Sequence, residues 1–372
     1  MRLFKIKFPG LYRCSVFFWL IIFLVNTGLA EESKTYLKVV IVGDTGIGER
    51  AFYHGFRAVA KGMKQEKPDL LLHLGDFVYQ PEIFPRTCEV QYKNDIFQYL
   101  VRPFPLHFFV PGDNDLSPKK MKPKASGCWK YIESFDAPFD ILKDSSRGVP
   151  GPLEGTKTIN NTFFGILNSY HEADPTPWLN PLVEKARREG KWIFFALHEP
   201  PLTTAWFKDK NQTKLKIINQ MEPDFVFSGN QHSYERFHQI GVPNKKGVFS
   251  IIKSTDSKYK RGEGTIHIIT GGGGATIKPF ADLQGKKNKT APKKVFDALA
   301  VRALMNHYVV LEITDKSVRG RTERVCPDME NIKVGKTNPR WKPKKKFWKK
   351  VHLSCEGRQA NQDTYDEFLL VR

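Results

Sequence analysis

The stretch Leu70–Tyr79, with the sequence LLLHLGDFVY, ends a short apolar run in a glycine and a carboxylate. An apolar run of this length before turn residues is typical of a buried strand. Gly75 permits a sharp backbone turn where the strand leaves its sheet. The sequence therefore predicts that Asp76 lies at the end of a strand, at the edge of a sheet.

The same construction occurs at four more places, where apolar runs lead into Gly43-Asp44, Gly112-Asp113, His198 and the sequence GNQH (229–232). Taken singly, such residues are more often turn aspartates or hydrogen-bonded histidines. Because ligands of open α/β sheets bind outside the carboxyl ends of the strands, we expect the five positions to converge on one site. Mixed carboxylate and imidazole donors suit Zn, Fe or Mn.

The five motifs resemble those of the calcineurin-like metallophosphoesterases, and within them those of the purple acid phosphatases. That group has GDxG, GDxxY, GNH[DE], a histidine at the end of a strand, and GHxH. This chain has GDTG (43–46), GDFVY (75–79), GDND (112–115), His198 and GNQH (229–232). The resemblance spans roughly residues 38–322. It implies an α/β fold, a four-layer β-sandwich flanked by helices, with the active site at the carboxyl ends of the strands.

Two motifs depart from the family pattern. Asp113 stands where an amide ligand is expected, and Asn114 stands where the catalytic histidine is expected. Asn230 replaces the first histidine of GHxH. The site is therefore altered in about half of its parts.

The resemblance implies one or two divalent or trivalent metal ions (Fe, Zn or Mn). The first ion would be held by Asp44, Asp76, Tyr79 and His232. The second would share Asp76 and add Asp113, His198 and Asn230. Since a carboxylate replaces an amide and an amide replaces an imidazole, the second site favours a harder ion such as Mn or Mg, or weak occupancy.

The implied activity is hydrolysis of phosphate esters, phosphomonoesters above all, by a metal-activated hydroxide. Asn114 cannot donate a proton as an imidazolium does, and such general acid help is worth roughly 10²–10⁴-fold. The candidate catalytic residues are Asn114, Asp115 and Glu199, the last two as substitutes for the acid. Two alternatives stay open: a catalytically silent relative that binds a phosphorylated or anionic ligand, and an exported interaction protein that acts through its basic tail.

The first 30 residues have the pattern of a secretory signal peptide. They contain four basic residues and no acid, followed by the apolar run Val16–Val25 and the small-residue sequence Gly28-Leu29-Ala30. Ten apolar residues are fewer than the roughly 20 that a membrane span needs. We therefore expect cleavage after Ala30 and export, to the outside of the cell or the periplasm; an uncleaved anchor is the alternative.

Residues 31–325 are expected to form one metallophosphoesterase domain, and residues 326–372 a basic C-terminal extension rich in Lys and Trp. Of the formal net charge of +20, the four basic residues of the signal segment account for four, which leaves +16. Basic residues interleaved with aromatic ones at 333–350 could contact an anionic polymer or a membrane surface. A solvated tail is an equally good interpretation. Helices are predicted at 51–66, 90–101, 178–189 and 214–221.

Export predicts a mature protein that begins at or near Glu31 and has no free thiol. Cleavage removes Cys14 and leaves Cys88, Cys128, Cys326 and Cys355, an even number that is typical of two disulfides. Three pairings are possible, of which moderate loop length favours Cys88–Cys128 with Cys326–Cys355. Intact mass and thiol titration under non-reducing conditions check this. An unprocessed N-terminus or four reactive thiols would contradict it.

Overall fold

Two seven-stranded sheets organise the part of the chain that the computed structural model describes. The described residues are 36–45, 53–77, 92–115, 154–171, 173–206, 208, 211–275, 277–326 and 362–372. The predicted signal segment, Tyr79 and three of the cysteines (Cys88, Cys128 and Cys355) lie outside these ranges.

Strands and helices alternate in the first part of the chain, and strands dominate the last part. The strands are β1 (Leu37–Val42), β2 (Leu70–His73), β3 (Leu106–Phe109), β4 (Gly155–Ile159), β5 (Thr162–Leu167), β6 (Trp192–Leu197), β7 (Phe225–Ser228), β8 (Tyr234–Phe237), β9 (Gln239–Ile240), β10 (Ile251–Ile252), β11 (Lys258–Lys260), β12 (Ile266–Thr270), β13 (Leu299–Ala303), β14 (Asn306–Ile313), β15 (Ser317–Val325) and β16 (Gln362–Val371). The helices are α1 (Tyr53–Gln65), a π-helix (Tyr92–Val101), α2 (Thr176–Arg188), α3 (Asn211–Gln220) and α4 (Lys293–Ala298), with 3₁₀ turns at Asp282–Gln284 and Lys287–Lys289.

The four predicted helices are confirmed, with ends that differ from the expected ones by at most three residues. The second of them is wound as a π-helix rather than an α-helix. No helix among the described residues has the length and apolar composition needed to cross a membrane.

The strands that lead into the motifs are parallel neighbours within their sheets. The first sheet has the order β11-β16-β15-β14-β1-β2-β3, and the second has the order β13-β8-β12-β7-β6-β5-β4. β1, β2 and β3 run parallel in the first sheet, and β5, β6 and β7 run parallel in the second. Because parallel strands end at the same edge of a sheet, each sheet gathers its motif residues at one edge.

Alternate residues of the strands enter different layers of the core. Val39 and Ile41 of β1 pack in the layer that also contains Phe194 of β6, between the sheets. Val40 and Val42 of the same strand pack with α1 and the π-helix. Helices α2 and α3 pack on the outer face of the second sheet. The order helix, sheet, sheet, helix confirms the expected four-layer α/β sandwich.

The end of the chain belongs to the first sheet and not to an extension. β16 lies between β11 and β15 and pairs with both, and its Phe368 and Leu370 are buried in the core between the sheets. The assignment of 326–372 to a basic extension is therefore wrong for 362–371, because this segment completes a sheet and buries two of its apolar side chains in the core. The basic stretch 333–350 lies outside the described residues. Cys326 forms a disulfide whose partner also lies outside them, so the two pairings stay predictions.

A buried ion pair connects β16 to the second sheet. Arg236 of β8 donates to Asp366 of β16, with Nε 2.6 Å from Oδ2 and Nη2 2.9 Å from Oδ1. The Tyr234 hydroxyl donates to the same carboxylate at 2.7 Å. The side chains of Arg236 and Asp366 are 1% and 7% exposed, so water cannot replace either partner.

We expect Asp366→Asn to destabilise the protein by about 3 kcal/mol, because the change leaves the Arg236 guanidinium buried without its anion. The free energy of unfolding in urea measures this. Asp297→Asn, which removes the exposed pair of Asp297 with Lys293, serves as the control and should change stability far less. Equal effects of the two changes would contradict a structural role for the buried pair.

Candidate metal centre

Three motif residues have a left-handed backbone where their strands end. The φ angles of Asp44, Asp76 and Asn230 are 57°, 58° and 63°. This conformation is uncommon for residues other than glycine and costs of order 1–3 kcal/mol when the surroundings enforce it. Hydrogen bonds between the turns supply that enforcement, because Asp44 N donates to Gly75 O at 3.0 Å and Thr45 N donates to Asp76 O at 3.2 Å.

The motif glycines allow these turns to approach one another. A Cβ atom on Gly229 would lie 2.7 Å from Asp44 Oδ2 and 2.9 Å from Leu74 O. A Cβ atom on Gly112 would collide with Asp76 Oδ1 and the Asp76 backbone nitrogen. Glycine is therefore required at both positions for the carboxylates to occupy their observed places.

His198 joins the two sheets at this point. Its Nδ1 lies 2.5 Å from the Leu74 carbonyl oxygen, which accepts a hydrogen bond from Nδ1–H and so directs Nε2 toward the carboxylates. Nε2 is buried and lies 3.4 Å from Asp76 Oδ2 and 3.5 Å from Asp113 Oδ1. Among the described residues it has no hydrogen bond of normal geometry. Burial by itself disfavours the imidazolium, but Asp76 and Asp113 raise the pKa of His198 well above its usual range. The carboxylates thus require positive charge here, as a proton or as a metal ion.

Asp44, His232 and Asn230 form the other half of the arrangement. His232 Nε2 lies 3.3 Å from Asp44 Oδ1, and the Asn230 backbone N–H donates to Asp44 Oδ2 at 2.7 Å. Asp44 and His232 are 0% and 2% exposed. Asn230 therefore contributes its backbone to the orientation of Asp44, whatever its side chain does.

The structure brings together ligand atoms from both expected metal sites. Atoms of Asp44, Asp76 and His198 lie within 4.8 Å of one another, and all three side chains are buried. Buried carboxylates beside an imidazole nitrogen with no normal hydrogen bond fit a metal ion. Tyr79, the remaining expected ligand, lies outside the described residues.

Asn114 contacts the shared ligand directly. Its backbone N–H donates to Asp76 Oδ1 at 2.9 Å, and its Nδ2 donates to Asp76 Oδ2 at 2.7 Å. The residue that replaces the family's histidine therefore orients Asp76. The predicted catalytic role of Asn114 stays a prediction.

Asp115 stabilises the turns that carry Asp76 and Gly112. Both of its carboxylate oxygens accept hydrogen bonds from backbone N–H groups. Its carboxylate is fully buried and accepts backbone N–H groups of Asp76 at 2.7 Å, Phe77 at 3.0 Å and Gly112 at 3.0 Å. Burial and the charge of Asp76 raise the pKa of Asp115 to about 8, although the amides act in the opposite direction. A role as proton donor to a substrate stays a prediction that no contact supports.

Glu199 follows His198 and is 2% exposed. Its Oε1 forms an ion pair with Lys208, and its backbone N–H donates to Ser169 Oγ at 2.8 Å. The ion pair occupies one carboxylate oxygen of Glu199, and its proposed role as the acid stays a prediction.

Tyr170 is a site residue that the sequence analysis did not single out. Its hydroxyl lies 3.5 Å from Asp113 Oδ1, and its ring lies beside His198 with centroids 6.3 Å apart. Burial, then Asp113 and Asp76, raise the pKa of Tyr170 well above its usual range. One sequence feature could have indicated Tyr170, because Asn168-Ser169-Tyr170 directly follows the apolar run of β5. β5 is the parallel neighbour of β6, so both strands end at the same edge.

The family model for calcineurin-like phosphoesterases matches residues 37–234, which include all the motif positions. The chain belongs to the calcineurin-like phosphoesterase family. The match contains β1, β2, β3, β6 and β7, the strands that deliver the motif residues. The resemblance inferred from the motifs is therefore confirmed.

Three known proteins are similar to this chain in sequence or in fold. An uncharacterised protein of Mycobacterium tuberculosis is 27% identical over 126 residues, 30% of this chain and 23% of that protein. An Arabidopsis thaliana protein named probable inactive purple acid phosphatase 24 is 24% identical over 300 residues, 69% of this chain and 44% of its own length. The purple acid phosphatase PPD1 from yellow lupin (Lupinus luteus) seeds has a similar fold, with a TM-score of 0.58, 15% identity, and coverage of 92% of this chain and 54% of that one. This chain therefore matches less than half of the length of each curated relative.

We expect Gly112→Ala to lower metal affinity about tenfold or more, because the added methyl group displaces Asp76 and the backbone that Asp115 holds. Equilibrium dialysis with Mn²⁺ or Zn²⁺ measures the effect. Gly241→Ala is the matched control, since its methyl group meets only the rotatable Ser250 hydroxyl. Unchanged affinity in Gly112→Ala would show that the position of Asp76 does not control metal binding.

Proposed function

We propose that this chain is a metal-dependent phosphoesterase that hydrolyses phosphomonoesters. The observation that carries the proposal is the buried cluster of Asp44, Asp76 and His198, with its ligand atoms within 4.8 Å of one another at the carboxyl ends of strands from both sheets. Such a concentration of negative charge repels a phosphate, so the residues can bind one only together with cations.

The residues fit one metal ion well and a second one less well. Asp44 and His232, with Tyr79, are assigned to the first ion, and His198 and Asp113 to the second, with Asp76 between them. Bound ions would supply charge neutralisation of the phosphoryl group and a water nucleophile at neutral pH. Fe, Zn and Mn all suit these donors.

Protein groups then position the reaction. Asn114 holds both oxygens of Asp76, and Asp115 fixes the backbone from which Asp76 projects. The Asp113 side chain is 26% exposed, which supports substrate access on that side of the cluster. Since Asn114 cannot protonate a leaving group, we expect turnover to be slower by roughly 10²–10⁴-fold than with an imidazolium.

A catalytically silent protein that binds a phosphorylated or anionic ligand is the second candidate. The contact that favours it is the double hydrogen bond of Asn114 to Asp76, which occupies lone pairs that a metal ion would use. The name of the Arabidopsis relative, a probable inactive phosphatase, agrees with this alternative. Secretion and a contact of the basic segment 333–350 with an anionic surface are further proposals, which rest on the sequence alone.

Purified protein loaded with Mn²⁺, Zn²⁺ or iron should hydrolyse an aryl phosphate, and His198→Ala should lower both metal content and turnover, the latter by about 100-fold or more. His238→Ala is the control, because His238 bonds to Tyr259 away from the motif residues. Metal binding without turnover above the rate of His198→Ala would reject the enzyme and favour the silent binding protein.

A further inference from the structure

The second metal site has too few donors if only the motif residues are counted. Asn230 replaces an imidazole by a weaker amide donor, which leaves Asp76, Asp113 and His198. The described residues place one more oxygen next to these three. The Tyr170 hydroxyl lies 3.5 Å from Asp113 Oδ1, on a residue that the family motifs do not include.

Three successive separations among these four atoms are close to the distance between two ligands of one metal ion. Two ligands on a tetrahedral ion, with bonds of about 2.1 Å, lie about 3.4 Å apart. Asp76 Oδ2 lies 3.4 Å from His198 Nε2, His198 Nε2 lies 3.5 Å from Asp113 Oδ1, and Asp113 Oδ1 lies 3.5 Å from the Tyr170 hydroxyl. A hydrogen bond from a hydroxyl to an oxygen is usually about 2.7–2.8 Å long. The contact of Tyr170 with Asp113 is thus too long for a good hydrogen bond but suits two ligands of one ion.

The backbone holds Tyr170 in place independently of its hydroxyl. Tyr170 N donates to Asn168 Oδ1 at 3.0 Å, and Ser169 Oγ accepts the Glu199 N–H at 2.8 Å. The turn at 168–170 is therefore hydrogen-bonded to the segment that follows His198. A rigidly placed donor is what a metal site requires, because a mobile one loses conformational entropy on binding.

The surroundings of the hydroxyl are strongly negative. The carboxylates of Asp113, Asp76, Glu199 and Asp44 all act on the Tyr170 phenol. Of these, the described contacts give Glu199 a lysine partner, whereas Asp76 and Asp113 face the histidine. A cation between Tyr170, Asp113 and His198 would neutralise this charge.

We propose that Tyr170 is a ligand of the second metal ion and supplies the donor that Asn230 does not. Coordination forms a bond from the phenol oxygen to the ion and releases the hydroxyl proton to solvent when the oxygen binds as phenolate. The proposal rests on the metal binding of the proposed function, but it does not require hydrolysis of a phosphate ester.

Tyr170→Phe tests the proposal, because it removes only the oxygen. We expect the weaker of two Zn²⁺ or Mn²⁺ sites to lose at least tenfold in affinity, measured by calorimetric titration with the metal alone. In iron-loaded protein, the same change should reduce or shift the visible phenolate absorption. Tyr365→Phe is the matched control, since that ring is partly exposed beside Arg324, and neither readout should change. Asp113→Ala should weaken the same site, and Tyr170→Phe should add little in that background because both changes act on one ion.

Unchanged metal affinity and an unchanged iron spectrum in Tyr170→Phe would overturn the proposal. Unchanged metal affinity with weaker binding of inorganic phosphate would also overturn it, and would make Tyr170 a hydrogen-bond donor to the substrate. Thermal unfolding of the metal-free variant should match that of the wild type, which excludes misfolding as the cause. If Tyr170→Phe weakens one metal site while the wild type has no phosphatase activity, the ligand assignment stands and the proposed function fails.

Discussion

Buried negative charge at the carboxyl ends of the parallel strands is the constraint on which the rest of the site depends. Asp44 and Asp76 are 0% and 2% exposed, and ligand atoms of both lie within 4.8 Å of His198. Burial of several negative charges close together is costly, so the arrangement favours a compensating cation. The raised pKa of His198 expresses the same requirement, because a proton on the imidazole supplies the positive charge when no metal ion does.

The same residues hold the two sheets together. His198 follows a strand of the second sheet, yet it bonds to Leu74 O at the end of a strand of the first. Asn230 N, from the second sheet, bonds to Asp44 of the first. Bonds between the turns stabilise the left-handed conformations of Asp44, Asp76 and Asn230, both within the first sheet and between the sheets. The absence of a Cβ at Gly112 and Gly229 lets the turns approach one another. The candidate metal ligands therefore also connect the two sheets.

The two altered motifs change the chemistry without dismantling the arrangement. Asn114 cannot act as the proton donor that a histidine would provide, but it donates two hydrogen bonds to Asp76. The change favours a well-ordered Asp76 carboxylate over acid catalysis. Asn230 gives up an imidazole but keeps the backbone bond to Asp44. With Tyr170 beside Asp113, an oxygen from outside the motifs stands next to the weakened metal site. A slow phosphoesterase with unusual second-site ligands is consistent with all three positions.

Local patterns were enough to predict the motif strands and the four helices, because apolar runs that end in turn residues and helical spacing of apolar residues are local signals. The same strand ends predicted the convergence of Asp44, Asp76, Asp113, His198 and His232. Three other features depend on contacts between distant parts of the chain and became visible in the folded protein. Asp115 is a backbone clamp because its carboxylate meets three amides, two of which come from a turn almost 40 positions earlier in the chain. Tyr170 reaches the site because β5 pairs with β6, and the last strand joins the first sheet because β16 pairs with both β11 and β15. Strand pairing and side-chain direction between residues far apart in sequence depend on how the whole chain packs, so local periodicity does not predict them.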